Sequence, residues 1–282
     1  MVTWADCAKR LDELGVYDKI AEQAGRDPGL SIDIGCGHGY FLKALHAKNP
    51  GIGIVGADDK LGACRQYLKA EKVPFSDITA KEVWKKAGKL KGIYLVEENY
   101  RKMPKKTFDS SFMLFPSILG YDMENAGTAE KHVALFLRCA QLLQRVMLAS
   151  ASAKVGGHVT LVTLAGPGEA TEYKRTGILD RIKGENVPVS DRAFTKLYRE
   201  YHGVKDEPYV YITTGRAKEI DPVLAERVNR LDIISGKQTM IDEAGKDIVI
   251  YYSTRGKFFK KDKLTVPKEF IKWVMTCFSA EV

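Results

Sequence analysis

Ser31-Ile32-Asp33-Ile34-Gly35-Cys36-Gly37-His38-Gly39-Tyr40 sets three glycines at alternate positions directly after a short apolar run that carries one acid. Without a Cβ, glycine allows a tight turn and a close approach of backbone to ligand. In an open α/β sheet such a turn follows the first strand, at the switch point beyond the carboxyl ends where ligands bind. The spacing separates two classes of nucleotide-like ligand. Dinucleotide binding wants G-x-G-x-x-G, whose third glycine falls where Tyr40 stands. Here the pattern is G-x-G-x-G at Gly35, Gly37 and Gly39, with Asp33 two residues upstream. A second apolar run, Ile52 to Ala57, closes on Asp58-Asp59.

This arrangement resembles the first motif of the Rossmann-like, class I S-adenosylmethionine-dependent methyltransferases. The resemblance covers residues 30–164 and is specific over the first part of them. It implies S-adenosylmethionine as cofactor, with Asp33 at its methionine end beside Gly35, Cys36, Gly37 and Gly39. It implies that Asp58 binds both ribose hydroxyls, with Asp59 as the fallback one residue on; a carboxylate can accept two hydrogen bonds from vicinal hydroxyls. It also implies Asn99, placed before Pro104, at the adenine amino group, with Glu98 as the neighbouring option. The Phe108-Asp109 pair and Gly156-Gly157 match the family's starts to the fourth and fifth strands. His38, inside the turn, fits a place facing the cofactor and a place facing solvent equally.

Methyl transfer is an in-line displacement in which the protein aligns the acceptor and excludes water. A base is required only where the acceptor must lose a proton. The segment Leu114-Phe115-Pro116-Ser117 falls where the methyl group points, so Phe115 joins the cofactor set. Tyr121 and Asp122, with Ser117, are the catalytic candidates on the loop that follows. Amino-group enzymes of the family carry Asp/Asn-Pro-Pro-Tyr/Phe, pyrimidine-C5 enzymes a nucleophilic cysteine, and ribose 2′-O enzymes a Lys-Asp-Lys-Glu set. None of these stands in the segment after the fourth strand here. Phe41-Leu42 with Asn49-Pro50 is similar to the tRNA guanine-N7 family, without its Asp-Pro-Trp-Pro signature. Phe115-Pro116 with Gly157-His158-Val159-Thr160-Leu161 is similar to the rRNA uridine-N3 family, with Leu114 where that family has Asn. No acceptor base follows from either.

The elements that must hold these residues alternate in period. An amphipathic N-terminal helix is expected over 4–24, within a leading segment 1–29, with Thr3 as its N-cap. Strands are expected at 30–36, 52–57, 93–96, 108–115 and 158–164, with helices at 40–48 and 128–152 and a lysine-rich helical region over 60–90. The C-terminal part, 165–282, reads as helical insertions at 170–183, 191–202 and 221–235, strands at 209–213 and 248–252, and a last helix at 267–278. Alternation of this kind predicts a mostly parallel sheet with helices on both faces. With the resemblance, the expectation is an α/β, Rossmann-like, seven-stranded sheet with an antiparallel edge strand near the end, in a single domain over 1–282.

The chain has 282 residues, a formal charge of +8 and a pI near 9.1, compatible with a polyanionic partner. Two segments concentrate the charge: 81–106, with nine Lys/Arg, and 255–263, where Phe258 and Phe259 stand among cations. Cations on phosphates and rings on unpaired bases suit single-stranded RNA, so RNA is the favoured acceptor and partner. A small-molecule methyltransferase, and a non-catalytic RNA-binding or assembly protein, are the alternatives. Five scattered cysteines with no C-x-x-C pair argue against a disulfide framework and a structural zinc site. No secretory signal or membrane-spanning run is visible, and a reducing cytoplasmic setting is expected.

Overall fold

The computed structural model describes residues 2–24, 29–98, 103, 105–115, 128–164, 173–202, 208–232, 238–253 and 262–278. They divide into two compact units, 1–116 with 148–170 and 179–218, and 117–147 with 171–178 and 219–282.

The first unit is built on an eight-stranded sheet. In chain order its strands are β1 Ser31–Ile34, β2 Gly53–Asp58, β3 Phe75–Asp77, β4 Gly92–Glu97, β5 Phe108–Leu114, β6 Ala153–Thr163, β7 Leu179–Pro188 and β8 Tyr209–Ala217. Across the sheet they run β3-β4-β2-β1-β5-β6-β8-β7. All neighbours from β3 to β6 pair in parallel, with Asp33 opposite Gly56 on one side and Phe112 on the other. β8 pairs antiparallel with both β6 and β7. The fold is thus the Rossmann-like α/β class expected, with two corrections. There are eight strands, β3 and β7 being additions while the strand expected at 248–252 belongs to a separate sheet, and the antiparallel strand lies one in from the edge because β7 pairs outside it.

One face of the sheet is covered by α1 Trp4–Glu13, α2 Val16–Ala24, α3 Tyr40–Lys48, α4 Gly62–Ala70 and α7 Arg192–His202. Leu11, Ile20, Phe41, Leu45, Leu68 and Phe194 meet Ile54, Leu95, Phe112 and Ile212 there in one buried cluster. Ile32, Ile34, Val55 and Ala57, which alternate to the opposite face, are buried as well. A strand buried on both sides explains the unbroken apolar runs.

Several expected elements change. The single helix over 4–24 is two, because Gly15 takes φ +66 and ends the first. Thr3 caps α1 as expected, in a reciprocal box with Asp6. The lysine-rich region 60–90 holds α4, then β3, then α5 Ala80–Lys86. Residues 179–183 are strand, not helix: Leu179 and Ile182 show a helical spacing, but β7 pairs along β8 with a register shift between Asp180 and Lys183 and Arg181 at φ +50. Pairing overrides local preference.

Asp109 ties the amino end of the sheet together. Its carboxylate accepts from the Leu30 N–H at 2.8 Å and pairs with Lys154 at 2.6 Å. Gly157 leaves no side chain where the Asp109 and Lys154 carbonyls close in, 2.9 and 2.8 Å from where a Cβ would sit.

In the second unit β9 Gln238–Ala244, β10 Asp247–Ser253 and β11 Asp262–Pro267 form an antiparallel sheet in the order β11-β10-β9. α8 Pro222–Asp232 and α9 Lys268–Phe278 accompany it, and Arg227 lies over the Phe270 ring. Only β10 was foreseen of the three strands.

Candidate functional site

The glycine turn leaves β1 at the carboxyl edge of the sheet. Gly35 and Cys36 both donate to the Ala57 carbonyl on β2, at 2.7 and 3.3 Å, and Gly39 donates to the Cys36 carbonyl at 2.9 Å. Gly35, Gly37 and Gly39 take φ +76, +52 and +82, so each needs glycine for its backbone alone. Their surroundings differ. A Cβ on Gly35 or Gly37 would meet nothing within 4 Å, whereas one on Gly39 would sit 2.7 Å from the Cys64 sulfur. The first two glycines therefore border open space and the third is a packing glycine.

Asp33 lies beneath this turn, 2% exposed, and its Oδ1 has no hydrogen-bond partner. Burial, with Asp58 adding like-charge repulsion, pushes its carboxyl up to about 8. Tyr17, on α2, is pushed up by the same burial and next by Asp33. A buried acid without a donor is costly. It is set to receive one from a ligand.

Asp58 closes β2 beside the turn. Its Oδ2 accepts from the Gly37 N–H at 3.0 Å and its Oδ1 from the Lys60 N–H at 3.2 Å. Burial raises its pKa against the lowering by the Gly37 N–H, and a hydrogen bond with Asp59 raises it further. Asp59 itself is exposed. The Cys36 thiol faces the core, where its hydrogen bond with Cys64 and its burial hold its pKa far above the usual thiol range. It contributes backbone and close packing rather than a nucleophile.

An aromatic set joins the turn to the end of β5. Phe115 follows β5 in the left-handed region at φ +47, with its N–H on the Val162 carbonyl at 2.7 Å. Trp4 packs on Phe115 at 5.5 Å, Tyr17 meets it edge-on at 6.0 Å, and Tyr17 meets Tyr40 at 5.6 Å. His38 stacks on Tyr40 at 5.6 Å with their planes 10° apart. A bulky residue at positive φ is strained, and such strain persists where surroundings dictate it. Here Trp4, Tyr17 and the Val162 bond fix it.

β7 ends and β8 begins at this same edge, since Pro188 pairs with Tyr209 and Tyr211 with Thr163 at the end of β6. α7 between them therefore lies along the carboxyl rim, with Tyr201 6.0 Å from Trp4 and the Tyr198 hydroxyl on the Leu164 carbonyl. Arg192, Lys196 and Arg199 share one side of α7 and line an open groove with Ser190, Asp191, Thr195 and Glu200. Sequence reasoning overlooked these cations and the aromatic set. The i, i+4, i+7 spacing of the cations was a usable signal; the meeting of Trp4 with Phe115 had none.

The structure thus brings together Asp33, Gly35, Cys36, Gly37, Gly39, Asp58, Asp59 and Phe115. Asn99, Pro104, Pro116, Ser117, Tyr121 and Asp122 lie outside the described residues, as do Phe258 and Phe259. No helix among the described residues is long and apolar enough to cross a membrane.

No family model matches the chain, and no curated protein matches it. Among solved structures it is similar to an antibiotic-related methyltransferase, at 17% identity and a TM-score of 0.38, over 71% of this chain and 94% of that one. It is similar to phosphoethanolamine N-methyltransferase 2 of Haemonchus contortus in complex with S-adenosyl-L-methionine, at 14% and 0.39, over 73% of this chain and 53% of that one. It is also similar to a variant of the 16S rRNA (adenine(1408)-N(1))-methyltransferase from Catenulisporales acidiphilia, at 16% and 0.40, over 73% and 94%. The chain spans about half the length of the Haemonchus protein.

Proposed function

We propose that the chain is an S-adenosylmethionine-dependent methyltransferase with RNA as its acceptor, working in a reducing cytoplasmic setting that suits five buried thiols. The observation that carries the donor half is Asp33: a buried, unpartnered carboxyl directly under a glycine turn that borders open space. An amino-acid ammonium group answers that vacant acceptor, and few other parts of a nucleotide-like ligand would. Asp58, one strand over and aligned by the β1–β2 register, stands where vicinal hydroxyls can take its lone pairs. Gly35 and Gly37 leave room for the ligand between the two acids.

S-adenosylmethionine supplies an electrophilic methyl carbon on a sulfonium. The chain's own work is to hold the donor with Asp33 and Asp58, and to wall the approach with the aromatic set around Phe115. The acceptor half rests on charge: +8 overall, with the lysines of 81–106.

Calorimetric titration of S-adenosylmethionine and S-adenosylhomocysteine tests the donor half. Binding of both at one site is the expected result. No heat at millimolar ligand overturns it.

A further inference from the structure

α5 carries an aromatic side chain that the fold leaves in water. Trp84 is 69% exposed, the most exposed large apolar side chain among the described residues. The helix beneath it is well anchored. Thr79 caps it in a reciprocal box with Glu82, and Ala80 and Val83 are buried. The indole is therefore held out by a fixed helix. Lys81, one turn before Trp84 and on its side of the helix, is exposed, as are Lys85, Lys89 and Lys91. None of these four has an acidic partner among the described residues, whereas Lys86 pairs with Glu82 at 3.3 Å.

Uncompensated lysines on the same helix as an exposed indole complement a polyanion that carries flat rings. Single-stranded nucleic acid has both: phosphates that release counterions to lysine, and unpaired bases that stack on an aromatic face. An anionic lipid surface shares the charge but needs an apolar face to bury. α5 offers a single indole and no apolar face, since Ala80 and Val83 are already inside. Position agrees with the proposed site. α5 starts at the carboxyl end of β3, which is parallel to β4 and β2, so its first turn, with Lys81, lies at the same edge of the sheet as Asp58, while Lys89 and Lys91 lead back to the amino end of β4.

We infer that the α5 surface, with Trp84 and the exposed Lys81 and Lys85 of the same helix, is a docking platform for single-stranded RNA. It positions the acceptor strand at the edge of the sheet. The inference rests on the reading of RNA as acceptor.

The test is fluorescence anisotropy with a fluorescein-labelled single-stranded poly(U) RNA of about 20 nucleotides, long enough to cover a single-strand site of up to about 16. Wild type, Trp84→Ala, Trp84→Phe and Lys81→Glu/Lys85→Glu are compared, with thermal melting to verify folding. Trp84→Ala should weaken binding about tenfold or more, and Trp84→Phe should restore most of it because stacking needs only a ring face. The double charge reversal should weaken binding and flatten its dependence on salt. Equal binding by wild type and Trp84→Ala overturns the platform and leaves the RNA reading standing. Absence of RNA binding by a wild-type protein that still binds S-adenosylmethionine overturns the RNA reading and the platform with it, and leaves the donor reading intact. Trp84-dependent binding to phosphatidylglycerol vesicles without binding to poly(U) also overturns the platform.

Discussion

If Asp33 holds the ligand's ammonium group, donor binding must expel a proton. In the ligand-free protein the Asp33 carboxyl sits at about 8, so at pH 6.5 it is almost wholly protonated. An ammonium donor at hydrogen-bond distance favours the ionised form, and the proton leaves. The affinity should therefore rise about tenfold per pH unit from pH 6 and bend near pH 8. A ligand α-amine with a pKa of about 7.7–8.0 has lost much of its own charge there, which takes back about a factor of two to three. The net gain from pH 6 to pH 8 is then roughly twentyfold, with the maximum falling near pH 8. Calorimetry of S-adenosylhomocysteine binding at pH 6.5, in buffers of different ionisation enthalpy, should register about one proton released per ligand. Asp33→Asn should abolish the release, and Asp58→Asn should leave most of it. An affinity flat between pH 6 and 8, with no proton released, refutes Asp33 as the ammonium partner. The same shift bears on stability with a definite sign. The folded chain holds this proton up to about pH 8 and the unfolded chain only to about 3.8. Its contribution is complete below the lower value and is lost as pH rises through the upper one. Ligand-free thermal stability should thus fall between pH 5 and 8, and saturating ligand should reduce that fall.

Other consequences are as direct. Asp58→Ala should weaken donor binding roughly tenfold to hundredfold, on the scale of hydrogen bonds to a charged group; titration calorimetry reads it, and an unchanged affinity removes Asp58 from the site. Gly39→Ala must hold a left-handed conformation and crowd the Cys64 sulfur, 2.7 Å from the new Cβ, at a cost of about 2–4 kcal/mol. In a double-mutant cycle of denaturant unfolding Cys64→Ala should return the crowding part of that cost and not the conformational part. Asp109→Ala leaves the Leu30 N–H and Lys154 without their partner at the far end of the sheet. It should cost about 1–3 kcal/mol by the same measurement, with donor affinity unchanged.

Much of this site was legible because its residues are neighbours in sequence or close adjacent strands. Gly35, Gly37 and Gly39 advertise a turn by type, and Asp33 and Asp58 each sit at a fixed offset from a strand end. α3 and α6 Thr128–Ser152 were legible from apolar spacing and clear breaks. The misreadings share one cause, that pairing between distant segments decides weak local signals. Phe75-Ser76-Asp77 is too short to show alternation and becomes a strand only by lying along β4. Leu179-Asp180-Arg181-Ile182 spaces its apolar residues like a helix until β8 supplies a ladder. The break at Gly15 does not show in the amphipathic pattern over 4–24, because its positive φ is a property of the backbone and not of composition. The strain at Phe115 was likewise invisible: Trp4 and Tyr17, far away in sequence, make it.

The irregular strand β7 also governs what the large sheet can do with other molecules. A parallel-rich sheet ends in two rows of unpaired backbone groups, each a template for another chain. At one end stands β3, only three residues long, with Asp77 occupied by Arg65 at 2.8 Å. At the other, β7 shifts register at Asp180 to Lys183, turns Arg181 into the left-handed region, and exposes Asp180, Arg181, Lys183 and Glu185. Neither edge offers a long flat apolar row. Short length at one edge, and charge with a register shift near Arg181 at the other, are features that disfavour edge-to-edge addition of a further strand.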